Sequence, residues 1–72
     1  MNLLDDVYYW HSAEGCWKSS FLISKIKEKK RYLVSGYGPH LPIEKVLTLG
    51  QYEHLVRHKK LEEYTNKVKE IK

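Results

Sequence analysis

The sequence predicts a mainly β domain, a small antiparallel barrel of four to five strands, closed or nearly closed, followed by a C-terminal α-helix. Three observations predict it. Short segments rich in β-branched and aromatic residues recur about every ten positions as far as residue 46. Turn chemistry separates them, in "HSAEG", "KEKK" and "GYGP". From Thr48 onward the pattern changes, because Thr48 and Gln51 have the spacing of a capping box and almost every later residue is a good helix former.

In "DVYYW", Val7 and Tyr9 alternate with Tyr8 and Trp10, the period of two of a strand with different surroundings on its two faces. "CWKSSFLISKI", residues 16 to 26, is long for one strand and places Phe21, Leu22 and Ile23 in succession, so a bulge or sharp bend is expected inside it. Beyond the charged turn at 27 to 30, "RYLVSG" pairs back, with Tyr32 and Val34 on one face and Leu33 on the other. The next turn is expected at Gly36-Tyr37-Gly38-Pro39, with the glycines freeing the backbone to lift Tyr37 clear of the barrel. "HLPIEKV" alternates again, but Pro42 lacks the amide that a central strand donates, so this strand lies at an edge or starts late.

One helix is expected from Leu49 to about Ile71, with Leu47 and Tyr52 placed to form a hydrophobic staple at its start. Its apolar residues do not make one stripe. At roughly 100° per residue, Tyr52, Leu55 and Val56 share one face, while Leu61, Tyr64, Val68 and Ile71 share another about 140° away. The first face suits docking on the barrel. The second has the spacing of a short coiled-coil seam, for a partner or a second copy in a homodimer; the alternative is a kinked helix folded onto the same barrel. The division is therefore a barrel over 1–49 and an amphipathic helix over 50–72, within a single domain, because 72 residues leave room for one core.

Thirteen Lys and Arg against nine Asp and Glu give a net charge of +4, a mild bias towards polyanions or acidic surfaces. A lone Cys16 excludes an internal disulfide; it reads as a small buried or half-buried strand residue in a reducing compartment. Asp5 and Asp6 replace the basic start of a signal peptide, and no apolar run approaches the roughly 20 residues of a membrane span. The expected location is intracellular, cytoplasmic or nuclear, with no membrane partner. His54 and His58 have a spacing that zinc sites use, but Arg57, Lys59 and Lys60 surround them and no glutamate completes a metalloprotease pattern, so a solvated basic face and no metal are expected. No phosphate-binding loop, dinucleotide fingerprint or activated serine is present, which argues against an enzyme and against a cofactor.

The candidate ligand-binding residues are aromatic. Trp10 ends the first strand, Trp17 starts the second and Tyr37 sits in the turn before the last. Loop ends of this kind converge at one mouth of a small barrel, where rings wall a pocket for a methylated ammonium or guanidinium, each ring contributing about 0.5–2 kcal/mol. For Trp17 the alternative is a core position. Lys25, Lys27, Lys29, Lys30 and Arg31 form a second candidate, a basic hairpin able to follow the phosphates of a nucleic acid, or else a hairpin kept soluble by its charges.

"WHSAEGCWKSSFLISKI" followed by "KRYLVSGYGPHLPIEKVLTL" resembles a Tudor domain, most of all that of the survival of motor neuron protein. The resemblance spans roughly residues 5 to 49, and Gly36-Tyr37-Gly38, Gly15-Cys16 and Trp10 carry it. It implies a five-stranded SH3-like barrel and an aromatic cage for methylarginine on a protein or peptide partner. Trp10 and Tyr37 match two cage rings. Lys18 and Val34 stand where the family has the other two, and Pro39 stands at the family's asparagine, so Trp17 or Tyr32 is left to replace the missing rings. Three functional classes follow: a non-enzymatic module that grips a protein partner at an aromatic mouth, a nucleic-acid-binding barrel using the 25–31 hairpin, or a small inhibitor or adaptor that blocks a larger target.

Overall fold

In the computed structural model, which describes residues 1–71, the apolar segments become five strands: β1 (Asp6–His11), β2 (Cys16–Ile26), β3 (Arg31–Val34), β4 (Tyr37–Pro42) and β5 (Val46–Thr48). All pairings are antiparallel and the order is β4-β3-β2-β1-β5, so β4 and β5 are edges and the sheet is not closed. The mainly β character and the C-terminal helical part expected from the sequence are present.

The long β2 changes partners along its length. Residues 16–21 pair with β1 and residues 22–26 with β3, and the register shifts between Leu22 and Ser24. That shift answers the run of three apolar residues, which cannot all face one side of a regular strand. Leu22 is fully enclosed, while Phe21 and Ile23 stay exposed. Leu22 joins Val7, Tyr9, Val34, Leu41 and Val46 in a core on the inner face, with Met1, Tyr32 and Tyr37 packed against it. Cys16 is exposed, where the sequence suggested a buried or half-buried position.

Two boundaries differ from the sequence expectation. The β3–β4 connection is only Ser35 and Gly36, with Gly36 at φ +83°, and Tyr37 pairs with Val34 as the first residue of β4. One glycine suffices for the turn, and Tyr37 is a half-buried strand residue, not a tip. "HLPIEKV" is interrupted: β4 ends at Pro42 and a 3-10 turn over Ile43–Lys45 follows. The chain then crosses to begin β5, beside β1. Pro42 ends the edge strand, where a missing amide costs no ladder bond.

The helical part is two helices, α1 (Leu49–Arg57) and α2 (Leu61–Lys69), not one. The capping box is formed: Gln51 N donates to Thr48 Oγ1 at 3.0 Å and Thr48 N donates to Gln51 Oε1 at 2.9 Å. α1 ends in a Schellman turn, in which Lys60 N donates to Leu55 O at 2.8 Å and Lys59 N to Val56 O at 3.1 Å. Lys59 holds the left-handed position at φ +56°. The break turns the second apolar face inward. Val68 is 1% exposed within the single chain, and Leu61, Tyr64 and Ile71 are half-buried. Val68 is thus enclosed within the chain, on the side of the tryptophan-bearing face of β1 and β2, while the other three seam residues keep part of their surface open. Among the described residues, no helix is long and apolar enough to cross a membrane.

Candidate binding site at one end of the sheet

Antiparallel pairing sets the end of β1 beside the start of β2 and the end of β3 beside the start of β4; the β3–β4 turn is level with Phe21 and Leu22, midway along β2, and ring contacts bring Tyr37 to Tyr9 and His11. The β2–β3 turn lies at the far end of β2.

Trp10 and Trp17 are directly opposite in the β1–β2 register, and their rings are 5.6 Å apart, edge to face. They lie under the helices. Trp17 Nε1 donates to Thr65 Oγ1 at 2.8 Å, and its ring is 6.3 Å from Tyr52 and 6.1 Å from Tyr64. Tyr8, on the same side as Trp10, stacks on Tyr52 at 3.8 Å. Trp10 is 5% exposed, and the cation over its ring is the chain's own Lys69, whose Nζ is 5.7 Å from the ring centre.

Tyr37 belongs to a different group. Its ring centre is 5.4 Å from Tyr9 and 5.2 Å from His11, and Tyr9 and His11 are 6.1 Å apart. The mouth expected from Trp10, Trp17 and Tyr37 is thus divided between two sides of the sheet. The reason is strand parity: Tyr9 and His11 flank Trp10 in sequence and so point to the opposite face. Sequence reasoning missed Tyr9 and His11 as site residues, although the same alternation that marks β1 puts them together.

Tyr9 forms the closed floor of this group at 4% exposed, whereas His11 and Tyr37 are half-buried and reachable. The β1–β2 loop brings an acid beside them. Gly15 at φ +64°, its N–H donating to His11 O at 2.8 Å, closes the loop. Glu14 N then donates to His11 Nδ1 at 3.2 Å, and the Glu14 carboxylate lies 3.6 Å from His11 Nε2. A neutral imidazole accepting at Nδ1 carries its proton on Nε2, the nitrogen that faces the carboxylate. Lys18, opposite Tyr9 on β2, hydrogen-bonds the same carboxylate. That bond holds the Glu14 carboxyl below its usual range and the Lys18 ammonium above its own. Ring faces next to a carboxylate suit a cationic guest, and Lys18 is the group such a guest would displace.

At the opposite end, Lys25, Lys27 and Lys30 line a concavity of about 320 Å³ together with Met1, Ile26, Tyr32 and Ile43. Lys29 is exposed in the 3-10 turn, and Arg31 Nη2 donates to His40 O at 2.5 Å. His54 and His58 lie exposed on α1 with ring centres 4.3 Å apart. Among the described residues, no group of three or more His, Cys, Asp or Glu is placed to hold a metal ion.

Compared with known proteins, the chain matches no family model, and no curated protein and no solved structure is significantly similar to it.

Proposed function

We propose that the chain is a non-enzymatic binding module on a Tudor-like, SH3-like barrel, which receives a cationic side chain of a protein partner at the Tyr9–His11–Tyr37 end. One observation carries the reading. Three rings from two strands stand within 6.1 Å of one another beside a carboxylate, with His11 and Tyr37 half-buried. Five antiparallel strands agree with the fold that the Tudor resemblance implies. The cage differs from the one read off the sequence: Tyr37 remains, Tyr9 and His11 join it, and Trp10 and Trp17 are committed to holding the helices.

Titration with short peptides bearing lysine, trimethyllysine, arginine or dimethylarginine, followed by NMR, tests this. The ring signals of Tyr37 and His11 are expected to shift, and Tyr37→Ala to weaken binding by about tenfold, the effect of losing roughly 1–2 kcal/mol of cation–π attraction. Which peptide binds best reports the modification state. No ring shift with any of the four, or equal binding by Tyr37→Ala, would end the proposal.

A further inference from the structure

The lysine concavity at the other end of the sheet has no part in that mouth. Its construction is specific. Lys25 and Tyr32 are directly opposite in the β2–β3 register, so ammonium and ring lie on one face. The left-handed Lys30, at φ +51°, closes the turn, and its carbonyl accepts from Ile43 N at 3.2 Å. That bond brings the 3-10 turn after β4 against the hairpin, and Ile43 with it. The result is a slot whose walls, Ile26, Tyr32, Ile43 and Met1, are mainly apolar and whose rim carries three lysines. Lys25 Nζ donates one hydrogen bond, to Met1 O at 2.8 Å, which leaves two of its protons for a ligand. Lys29 adds a further positive charge in the turn, where Glu28 is the single acid.

We propose that this slot binds single-stranded nucleic acid, with one unstacked base entering against Tyr32 and the adjoining phosphates held by Lys25, Lys27 and Lys30. A volume near 320 Å³ is at the small end of ligand sites, enough for one base and too small for a bulky group. The pairing of an aromatic wall with a cationic rim matches a nucleotide, whose flat ring and charge are covalently joined. Polyglutamate supplies the charge but has no flat apolar surface next to it. A duplex supplies the phosphates but keeps its bases stacked.

The experiment is fluorescence anisotropy with a labelled oligothymidine of about ten nucleotides, over a salt series starting near 50 mM. Three phosphate contacts predict a slope of log K against log salt of about −2, at roughly −0.7 per contact. Lys27→Gln with Lys30→Asn, chosen because Asn tolerates the left-handed backbone, reduces that slope to about −0.7. Tyr32→Leu weakens binding by about five- to a hundredfold at fixed salt and leaves the slope unchanged. Should Tyr32→Leu fail to fold, backbone amide shifts on the wild-type chain decide: those of residues 25–32 and 43 move most with the oligonucleotide. The proposal is overturned by no binding at low salt, by an unchanged slope in the double variant, or by shifts centred elsewhere. It is also overturned if polyglutamate or duplex DNA binds as tightly as the single strand. Tyr37→Ala serves as the control: it leaves oligonucleotide binding intact, so failure here and failure of the aromatic mouth are separate results.

Discussion

Trp17 is fixed by a hydrogen bond to Thr65 and by ring contacts with Trp10, Tyr52 and Tyr64, so one side chain joins two strands to both helices. A ring held in this way is poor bait for a ligand. Tyr37 is the contrasting case, with one side against Tyr9 and enough exposure to meet a guest. The residue that limits this site is Lys18, since it already occupies the Glu14 carboxylate beside the rings. An exposed ion pair is weak and its loss costs the fold little. Lys18→Met removes a like charge and frees the acid, so it is expected to raise affinity for the best cationic peptide about two- to fivefold. Isothermal titration of wild type and Lys18→Met checks this; a weaker complex from the variant would show that Lys18 helps the guest instead of competing with it.

The helices show why a junction escapes sequence reading while the elements on either side do not. Thr48 and Gln51 announce the start of α1 by residue type, and the structure forms both hydrogen bonds of the box. The end of α1 is marked by no glycine. Lys59 takes the left-handed position that glycine usually fills, and only the 140° offset between the two apolar faces hints that the helix must break. Lys59→Gly tests this account. Relief of about 1–2 kcal/mol of backbone strain outweighs the roughly 0.5–1 kcal/mol of extra freedom that glycine gives the unfolded chain. A net gain of about 0.5–1 kcal/mol is expected, read as a higher urea midpoint with unchanged slope. A lower midpoint would mean that the Lys59 side chain contributes more than its backbone costs. The strands follow the same rule. Alternation in β1 was legible, yet a period of two says that the faces differ without saying which one the helices cover. That choice was made by where α2 landed, and α2 covered Trp10 and Trp17.

On the scale of the molecule, β1 works with both faces: Val7 and Tyr9 enter the core of the sheet, and Tyr8 and Trp10 enter a second apolar layer under the helices. A chain of this length buries only about 60% of its unfolded surface, so two layers sharing one strand are an economical way to cover, wholly or in part, eight of the nine aromatics, Phe21 being the exposed one. The radius of gyration, 11.4 Å, is close to the roughly 11 Å of a compact domain this long, which means the helices are part of the body and not an extended arm. A single phenol ties the layers where the sheet is open. Tyr64 Oη, on α2, donates to Glu44 O at 2.5 Å, in the 3-10 turn between β4 and β5. Partial burial first, and the Glu44 carboxylate second, raise the pKa of Tyr64 above the usual 10.0. The fold thus holds the neutral phenol, and the stability it supplies is complete below pH 10.0 and is lost as pH rises through the raised value. A phenolate can neither donate to the carbonyl nor sit at ease beside a carboxylate. Tyr64→Phe is therefore expected to be less stable than wild type by about 1 kcal/mol at neutral pH, the net worth of one hydrogen bond. Its disadvantage should shrink as pH climbs past 10.0, since only wild type has this interaction to lose. Other tyrosines and lysines titrate in both proteins and cancel in the difference. Urea midpoints of the pair, measured at intervals from neutral to strongly alkaline pH, should converge; curves that stay parallel would show that the Tyr64 hydroxyl does not couple the second helix to the edge of the sheet.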